Sequence, residues 1–453
     1  MKIKKFLAII LVCVFAIILV GCSDNQKLIE LEKAIGDMQT TLENIELDKE
    51  SLEEEIYTLQ EELKALDEKN ETQKQIIYDL RKKLEDAQKR LNDLNDQVES
   101  VKTGIRVMLA DEYTLVVGDA FQLFYRSIVQ APDPYGYYIK VEGTKGHTFN
   151  RYYEFQPEAK DAGNTYTLKV SVCDANGVVQ GTDTTKLVVM AQKISDGKNV
   201  SKNILCFGDS LTYNGTWVAQ GISKYIQAGG NKVTTLGTMS ATLNGVKVNY
   251  EGHSGWQWST YINGEGTTPS PFAAKSGTGI SFKDFCSKNG YSGIDEVYIL
   301  LTWNGIGGRF KEFSFNDTLF SSAKIIIDKL HSEYPKAKVT LIGIPKPSTD
   351  AGLGAYYEIT YGYGDNYAQS VTVMNYNQFM EDWCKMDEYK SFMFYMDGMG
   401  QFDSEYNMPS QKKPVNNQSS TTEPVGTGMG MHPNNSGYLQ LGDVFFRALM
   451  RYK

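Results

Sequence analysis

The sequence predicts an α/β domain with a parallel sheet in its C-terminal part, preceded by a β-sandwich domain and a long α-helical coiled coil. Three observations predict this order. Apolar residues recur in a heptad pattern from 28 to 101, short β-prone runs separated by turn residues follow, and apolar strands then alternate with helical stretches from Asn203 onward. A chain of 453 residues exceeds what one hydrophobic core usually organises, so several structural units are expected.

The N-terminal residues have the pattern of an export signal. Lysines at positions 2, 4 and 5 precede an apolar run from Phe6 to Val20. This run is shorter than the roughly 20 residues that cross a bilayer core, which favours a cleaved signal at 1–21 over an uncleaved membrane helix. The ending Leu-Val-Gly-Cys22 resembles the lipobox of bacterial lipoproteins. That resemblance implies lipidation of Cys22 and an extracytoplasmic protein anchored to a bacterial cell membrane.

The net charge excludes one class of partner. A formal charge of -9 leaves the chain without the basic excess that a general nucleic-acid binder needs to displace counterions from phosphates. We therefore predict no nucleic-acid partner.

The segment 22–102 is predicted to be a lipidated N-terminus followed by a coiled-coil stalk. Apolar residues alternate at spacings of three and four, and only Lys49, Asn70 and Gln73 interrupt the core positions. Polar residues at single core positions favour a dimer, with a trimer as the alternative. Because each lipid would enter the same membrane, the predicted homodimer through 28–101 is parallel, and a continuous stalk would be about 110 Å long.

The segment 103–194 is predicted to be an Ig-like β-sandwich domain. Its short β-prone runs are separated by Gly, Asp and Asn at the spacing of sandwich strands. The stretch from Phe155 to Val170 resembles the late strands of bacterial Ig-like modules. We expect a spacer or accessory domain, with carbohydrate binding as the alternative role, and a polar linker at 195–202.

The segment 203–453 is predicted to hold the chemistry. Its continuous apolar runs are typical of parallel strands that are buried on both faces. In such sheets, functional residues gather beyond the carboxyl ends of the strands. The first run ends at Gly208-Asp209-Ser210, which places a serine hydroxyl at a strand-to-helix turn. A serine nucleophile needs this exposure together with a base.

Four blocks of this segment together resemble the SGNH (GDSL) serine hydrolase superfamily. The blocks are Phe207-Gly-Asp-Ser-Leu-Thr, Tyr250-Glu-Gly-His-Ser-Gly-Trp, Thr302-Trp-Asn-Gly and Met429-Gly-Met-His-Pro. The resemblance implies a flavodoxin-like, three-layer fold and a carboxylic ester hydrolase. It implies Ser210 as nucleophile and His432 as base, with an oxyanion hole formed by Ser210, Gly252 and Asn304. Gly255 is the alternative glycine in the second block.

The fourth block departs from the family pattern. The family places an aspartate three residues before the base, whereas this chain has Met429, which cannot accept a hydrogen bond as a carboxylate does. Either a backbone carbonyl orients His432, or an acid arrives from the preceding loop. The candidates are Asp397, Asp403 and Glu423.

The predicted substrate is an acyl ester, with an acetyl group on carbohydrate as the first choice. Five aromatic residues lie close in sequence to the blocks and could contact sugar rings or pack in the core: Trp217, Trp256, Trp258, Tyr261 and Trp303. No metal-ligand spacing is present in the sequence, and we predict neither a metal nor a cofactor. Three alternatives stay open: a catalytically impaired stalked binding protein, a sugar O-acyltransferase and a lipase.

Overall fold

We describe the protein from a computed structural model. The described residues are 47–62, 78–88, 104–191, 201–230, 232–301, 303–348, 366–408 and 430–451. The chain divides into two compact units, Met1–Gly104 and Ile105–Lys453, which are treated separately below.

In the N-terminal unit, residues 47–62 and 78–88 are helical. Leu52, Ile56, Leu59 and Ala87 form one buried apolar cluster, and Leu80 and Leu84 pack against it. All six occupy predicted heptad core positions. A continuous helix would separate Leu52 from Ala87 by about 50 Å, so the two helical segments pack side by side within one chain. The predicted continuous stalk therefore differs from the structure, while the dimer through 28–101 stays a prediction.

No helix in the described part of the chain combines the length and the apolarity that crossing a bilayer requires. Cys22 and the signal segment 1–21 lie outside the described residues.

The second unit begins with a β-rich module at Ile105–Ala191. Its strands are β1 (Arg106–Val107), β2 (Glu112–Val116), β3 (Phe121–Phe124), β4 (Val129–Gln130), β5 (Tyr138–Gly143), β6 (His147–Thr148), β7 (Tyr152–Phe155), β8 (Thr165–Cys173) and β9 (Val179–Met190), with a short helix α1 (Tyr125–Ile128). They form a four-stranded sheet in the order β2-β9-β8-β5, a three-stranded sheet β3-β7-β6 and the pair β1-β4. The predicted Ig-like character stays a prediction.

The rest of the unit is an α/β domain. Its strands are β10 (Lys202–Gly208), β11 (Val233–Leu236), β12 (Met239–Leu243), β13 (Val246–Gly252), β14 (Glu296–Leu300), β15 (Lys338–Ile342) and β16 (Met393–Met396). Its helices are α2 (Thr216–Gln227), α3 (Trp258–Asn263), α4 (Phe282–Asn289), the short α5 (Trp303–Ile306), α6 (Thr318–Glu333), α7 (Asn366–Lys385) and α8 (Asn435–Arg451). Strand β10 begins at Lys202, so it includes the last residue of the linker predicted at 195–202.

The sheet has the order β12-β13-β10-β14-β15-β16, and β11 pairs with the first half of β10. All pairs except β12 with β13 are parallel. The parallel strands β13-β10-β14-β15-β16 follow the order 2-1-3-4-5 of doubly wound, flavodoxin-like sheets. Helix α2 packs with α8, and α3 packs with α6. The predicted α/β fold with a parallel sheet is confirmed.

The β-rich module packs directly on the α/β domain. The Tyr113 hydroxyl donates to the buried carboxylate of Asp397 at 2.5 Å. Lys346, which is 1% exposed, donates to the carbonyls of Arg126 and Val129 at 3.2 and 2.9 Å. Burial raises the pKa of Asp397 and lowers that of Lys346 well below its usual value. The module is therefore part of one compact unit with the α/β domain rather than a spacer held at a distance.

Candidate active site

The candidate site lies where the strand order reverses. From β10 the chain adds strands on one side as far as β13, and it then crosses to β14 on the other side of β10. Ligand sites of open α/β sheets form at this switch point, beyond the carboxyl ends of the two strands. Ser210 lies two residues after β10 and Asn304 four residues after β14. The topology thus brings two distant sequence blocks to one edge.

A series of tight turns holds Ser210 at this edge. The Asp209 carboxylate accepts the Leu211 amide at 3.0 Å, and the Asp209 carbonyl accepts the Thr212 amide at 3.0 Å. The Ser210 carbonyl accepts the Tyr213 amide at 3.3 Å. Asp209 is fully buried whereas Ser210 is only partly buried. The turn therefore leaves Ser210 accessible and buries the Asp209 side chain that stabilises the turn.

His432 meets Ser210 directly. Its Nε2 lies 2.9 Å from the Ser210 Oγ, although the two residues are 222 positions apart in the sequence, and His432 stands three residues before α8. Burial lowers the pKa of His432 below its usual 6.5. A neutral imidazole at neutral pH can accept the serine proton, which is the requirement for a general base.

The main chain on both sides of His432 is fixed. The Gly430 carbonyl accepts the Ser348 amide at 2.7 Å, and Gly430 has a φ of 63° that suits glycine. The Asn434 amide donates to the Asn407 carbonyl at 2.9 Å, and the Asn434 side chain accepts the Gly437 amide at the start of α8. The imidazole therefore projects from a segment anchored before and after it.

The three predicted oxyanion donors lie on adjacent strand ends. Gly252 is paired in register with Gly208 at the ends of β13 and β10. Within the described part of the chain, no backbone carbonyl accepts the Ser210 amide. The Asn304 side chain donates one N–H to the Trp256 carbonyl at 3.1 Å, and an amide nitrogen carries a second N–H. At Gly255, the alternative to Gly252, an added Cβ would have no atom within 4 Å.

The candidate acids have other partners or fall outside the structure. Asp397 accepts from Tyr113 and from the amides of Met399 and Gly400. Asp403 accepts from Arg151 at 2.6 Å. Glu423 and Met429 lie outside the described residues.

A second histidine–carboxylate pair adjoins the site, and the sequence analysis missed it. Glu251 is fully buried, and one of its oxygens lies 3.0 Å from His253 Nε2. The His253 ring stacks on Trp256 with centroids 4.1 Å apart, and its amide donates to the Gly208 carbonyl at 3.0 Å. Glu and His flank Gly252 in the second block, so the signal was present in the sequence.

The aromatic residues near the blocks are packing residues. Trp217, Trp256, Trp258 and Tyr261 are at most 3% exposed, and the Tyr261 hydroxyl donates to the Gly208 carbonyl at 2.8 Å. The structure does not describe the Trp303 side chain. Of the two alternatives that the sequence left open, core packing therefore holds for these four residues.

The described residues contain no group of three or more His, Cys, Asp or Glu side chains that could hold a metal ion. The site has to be understood through Ser210, His432 and the amide donors around them.

No protein-family model matches the chain, and no curated protein matches it. Among solved structures, a carbohydrate esterase family 3 protein from Talaromyces cellulolyticus is similar, with 17% identity and a TM-score of 0.36 over 55% of this chain and 97% of its own. A phospholipase A1 from Streptomyces albidoflavus is similar, with 12% identity and a TM-score of 0.30 over 53% of this chain and 98% of its own. An extracellular lipase from Streptomyces rimosus has the same identity and coverage and a TM-score of 0.29. Because these TM-scores are low, the function proposed below depends on the geometry of the site and not on these similarities.

Proposed function

We propose that this chain is an SGNH-type serine esterase that hydrolyses acyl esters on carbohydrate, with acetyl esters as the preferred substrates. The observation that carries the proposal is the 2.9 Å contact between His432 Nε2 and Ser210 Oγ at the switch point of the parallel sheet. A partly exposed serine hydroxyl beside a neutral imidazole is the pairing that nucleophilic acyl transfer requires.

In the proposed reaction, His432 takes the proton of Ser210 as Oγ attacks the ester carbonyl. The Ser210 and Gly252 amides and the second N–H of Asn304 stabilise the negative charge that develops on the carbonyl oxygen. His432 then gives its proton to the leaving alcohol, and an acyl-serine remains. Water, deprotonated by His432, attacks this acyl group, releases the acid and restores Ser210.

The proposal also places the enzyme outside the cytoplasm. Lipid at Cys22 would hold it on a bacterial membrane, and pairing through 28–101 would make a parallel dimer. Light scattering of the purified chain tests the pairing, because a dimer has the mass of two chains. The mass of a single chain would mean that the in-chain packing of Leu52 against Ala87 replaces the dimer seam.

Hydrolysis of p-nitrophenyl acetate by the full chain, purified in detergent, tests the chemistry. We expect Ser210→Ala and His432→Ala to abolish turnover. We also expect a fluorophosphonate probe to label Ser210, as mass spectrometry of the labelled peptide would show. The matched control is Ser321→Ala, which removes an exposed hydroxyl from α6 and should leave turnover unchanged.

Turnover by Ser210→Ala equal to that of the unmodified chain would refute the proposed function. The chain would then be a stalked binding protein, the alternative that Met429 suggests.

A further inference from the structure

The segment that follows β16 carries a highly exposed aromatic ring. Tyr406 is 68% exposed, the most exposed large apolar side chain among the described residues. The Arg151 guanidinium lies over its ring, 4.1 Å from the centroid. Such a cation–π contact covers one face of the ring and holds its orientation. With one face covered and two-thirds of the side chain exposed, the other face is open to a ligand.

Arg151 belongs to the β-rich module and is held in place by two carboxylates of the α/β domain. Its guanidinium bonds to Asp403 at 2.6 Å and also to Glu405. The Glu405 carboxylate accepts the Tyr135 hydroxyl at 3.0 Å. Two residues of the module therefore converge on residues 403–406 of the α/β domain. Arg151 is bound through three contacts, so the ring of Tyr406 has a rigid backing.

Tyr406 is close to the catalytic base in space. Its carbonyl accepts the Asn434 side-chain amide at 2.8 Å, and the neighbouring Asn407 carbonyl accepts the Asn434 main-chain amide at 2.9 Å. Asn434 is two residues from His432, a span of at most about 7 Å of chain. Residues 397–408 also follow the carboxyl end of β16, the edge of the sheet at which Ser210 lies.

We propose that Tyr406, backed by Arg151, is a stacking subsite for a sugar residue of the substrate, one or two sugar units away from the ester under attack. The open face of a tyrosine offers a flat apolar surface, and the neighbouring Glu405 carboxylate, which is 21% exposed, can accept from further hydroxyl groups. This combination suits a pyranose ring, which has apolar C–H faces and a polar rim. The inference rests on the proposed function, whose carbohydrate substrate it locates.

The proposal predicts that the effect of Tyr406 depends on substrate size. A panel of acetylated xylo-, manno- and chito-oligosaccharides is compared with p-nitrophenyl acetate, using the full chain. For at least one oligosaccharide, Tyr406→Ala should lower kcat/KM by about 3- to 10-fold, mainly through KM, as expected for the loss of one stacking contact. Turnover of p-nitrophenyl acetate should not change, because Tyr406 contacts Asn434 through its main-chain carbonyl, which alanine retains. Tyr406→Trp should restore the oligosaccharide activity because it keeps a flat ring.

Two further variants separate stacking from general damage. Arg151→Ala should weaken oligosaccharide turnover less than Tyr406→Ala, because the ring stays but loses its backing. Tyr78→Ala, which removes a ring of similar exposure (64%) from the N-terminal unit, should have no effect. Equal losses on both substrate classes would show that Tyr406 only supports the His432 segment and would overturn the proposal, as would unchanged kinetics on every oligosaccharide.

Binding without turnover distinguishes this proposal from the proposed function. Calorimetry on the Ser210→Ala chain, with the deacetylated oligosaccharides, should show binding that Tyr406→Ala weakens. Absent binding would overturn the subsite. Unchanged p-nitrophenyl acetate turnover in Ser210→Ala would overturn the esterase and leave the binding measurement unaffected.

Discussion

Adding one methyl group at Gly252 should slow turnover strongly without unfolding the protein. A Cβ built on Gly252 would lie 2.6 Å from the carbonyl carbon and oxygen of Thr212 and 2.9 Å from the Tyr213 amide nitrogen. These are backbone atoms of the turn that carries Ser210, so no side chain can rotate away to make room. To reach an ordinary contact of 3.4 Å, the turn has to move.

The required movement sets the expected size of the effect. The Thr212 main chain must shift by about 0.8 Å, and a misplacement near 1 Å at a reacting centre costs roughly 100-fold in rate. We therefore expect Gly252→Ala to lower kcat on p-nitrophenyl acetate by about 100-fold, equivalent to about 2.7 kcal/mol in the activation free energy. Steady-state kinetics give this value, and a thermal melt of the same sample shows that the fold is retained.

Gly136→Ala is the matched control. The added Cβ at Gly136 would have its nearest neighbour at 3.5 Å, an ordinary contact, so activity and melting temperature should stay unchanged. If Gly252→Ala kept the kcat of the unmodified protein, the close packing of β13 against the nucleophile turn would have no catalytic consequence, and the assignment of Gly252 would be wrong.

Three further outcomes are expected. Asn304→Ala should lower kcat by about 100- to 1000-fold, measured with p-nitrophenyl acetate, because one oxyanion donor is lost; a change in KM alone would contradict that role. A pH profile of kcat/KM should fall toward acid as His432 gains a proton, with its midpoint below 6.5 because burial lowers the pKa of this base; a midpoint above 6.5 would contradict the burial argument. Tyr113→Phe should lower the free energy of unfolding by about 1–3 kcal/mol in urea titration, because the buried Asp397 carboxylate loses a donor; unchanged stability would mean that Asp397 finds another partner.

The sequence predicted the parallel sheet from local patterns, whereas it placed His432 beside Ser210 through the resemblance of its sequence blocks to the SGNH family. Continuous apolar runs indicate strands buried on two faces, and residues that follow such strands share one edge of the sheet. This rule applies to Ser210, which follows β10, but not to His432, which precedes α8 and is 222 positions away in the sequence. The roles of Gly252 and Asn304 were likewise implied by the resemblance, and the structure has both residues at or just after strand ends.

Burial, in contrast, could not be predicted from residue type. Trp217 and Tyr261 suit a sugar-binding face as well as a core, and only the packing of α2 and α3 on the sheet decides that they are buried. Within residues 47–62 and 78–88, the heptad pattern likewise identified the apolar residues that are buried or partly buried, but such a pattern does not predict which segment packs against them. In the structure, Leu52 and Ala87 are covered by the same chain.

The position of the β-rich module has the largest consequence for function. Its contacts with the α/β domain are formed by polar residues far apart in sequence, such as Arg151 with Asp403 and Tyr113 with Asp397, and they have no periodic signature. Both carboxylates were candidate acids for His432, and both instead bind the module. From Arg151 the connection runs through residues 403–407 to Asn434 and so to the main chain of His432. The proposed base, which lacks an aspartate at the usual position, thus projects from a segment that is connected to the module through residues 403–407. We therefore expect the module to support the geometry of the proposed reaction.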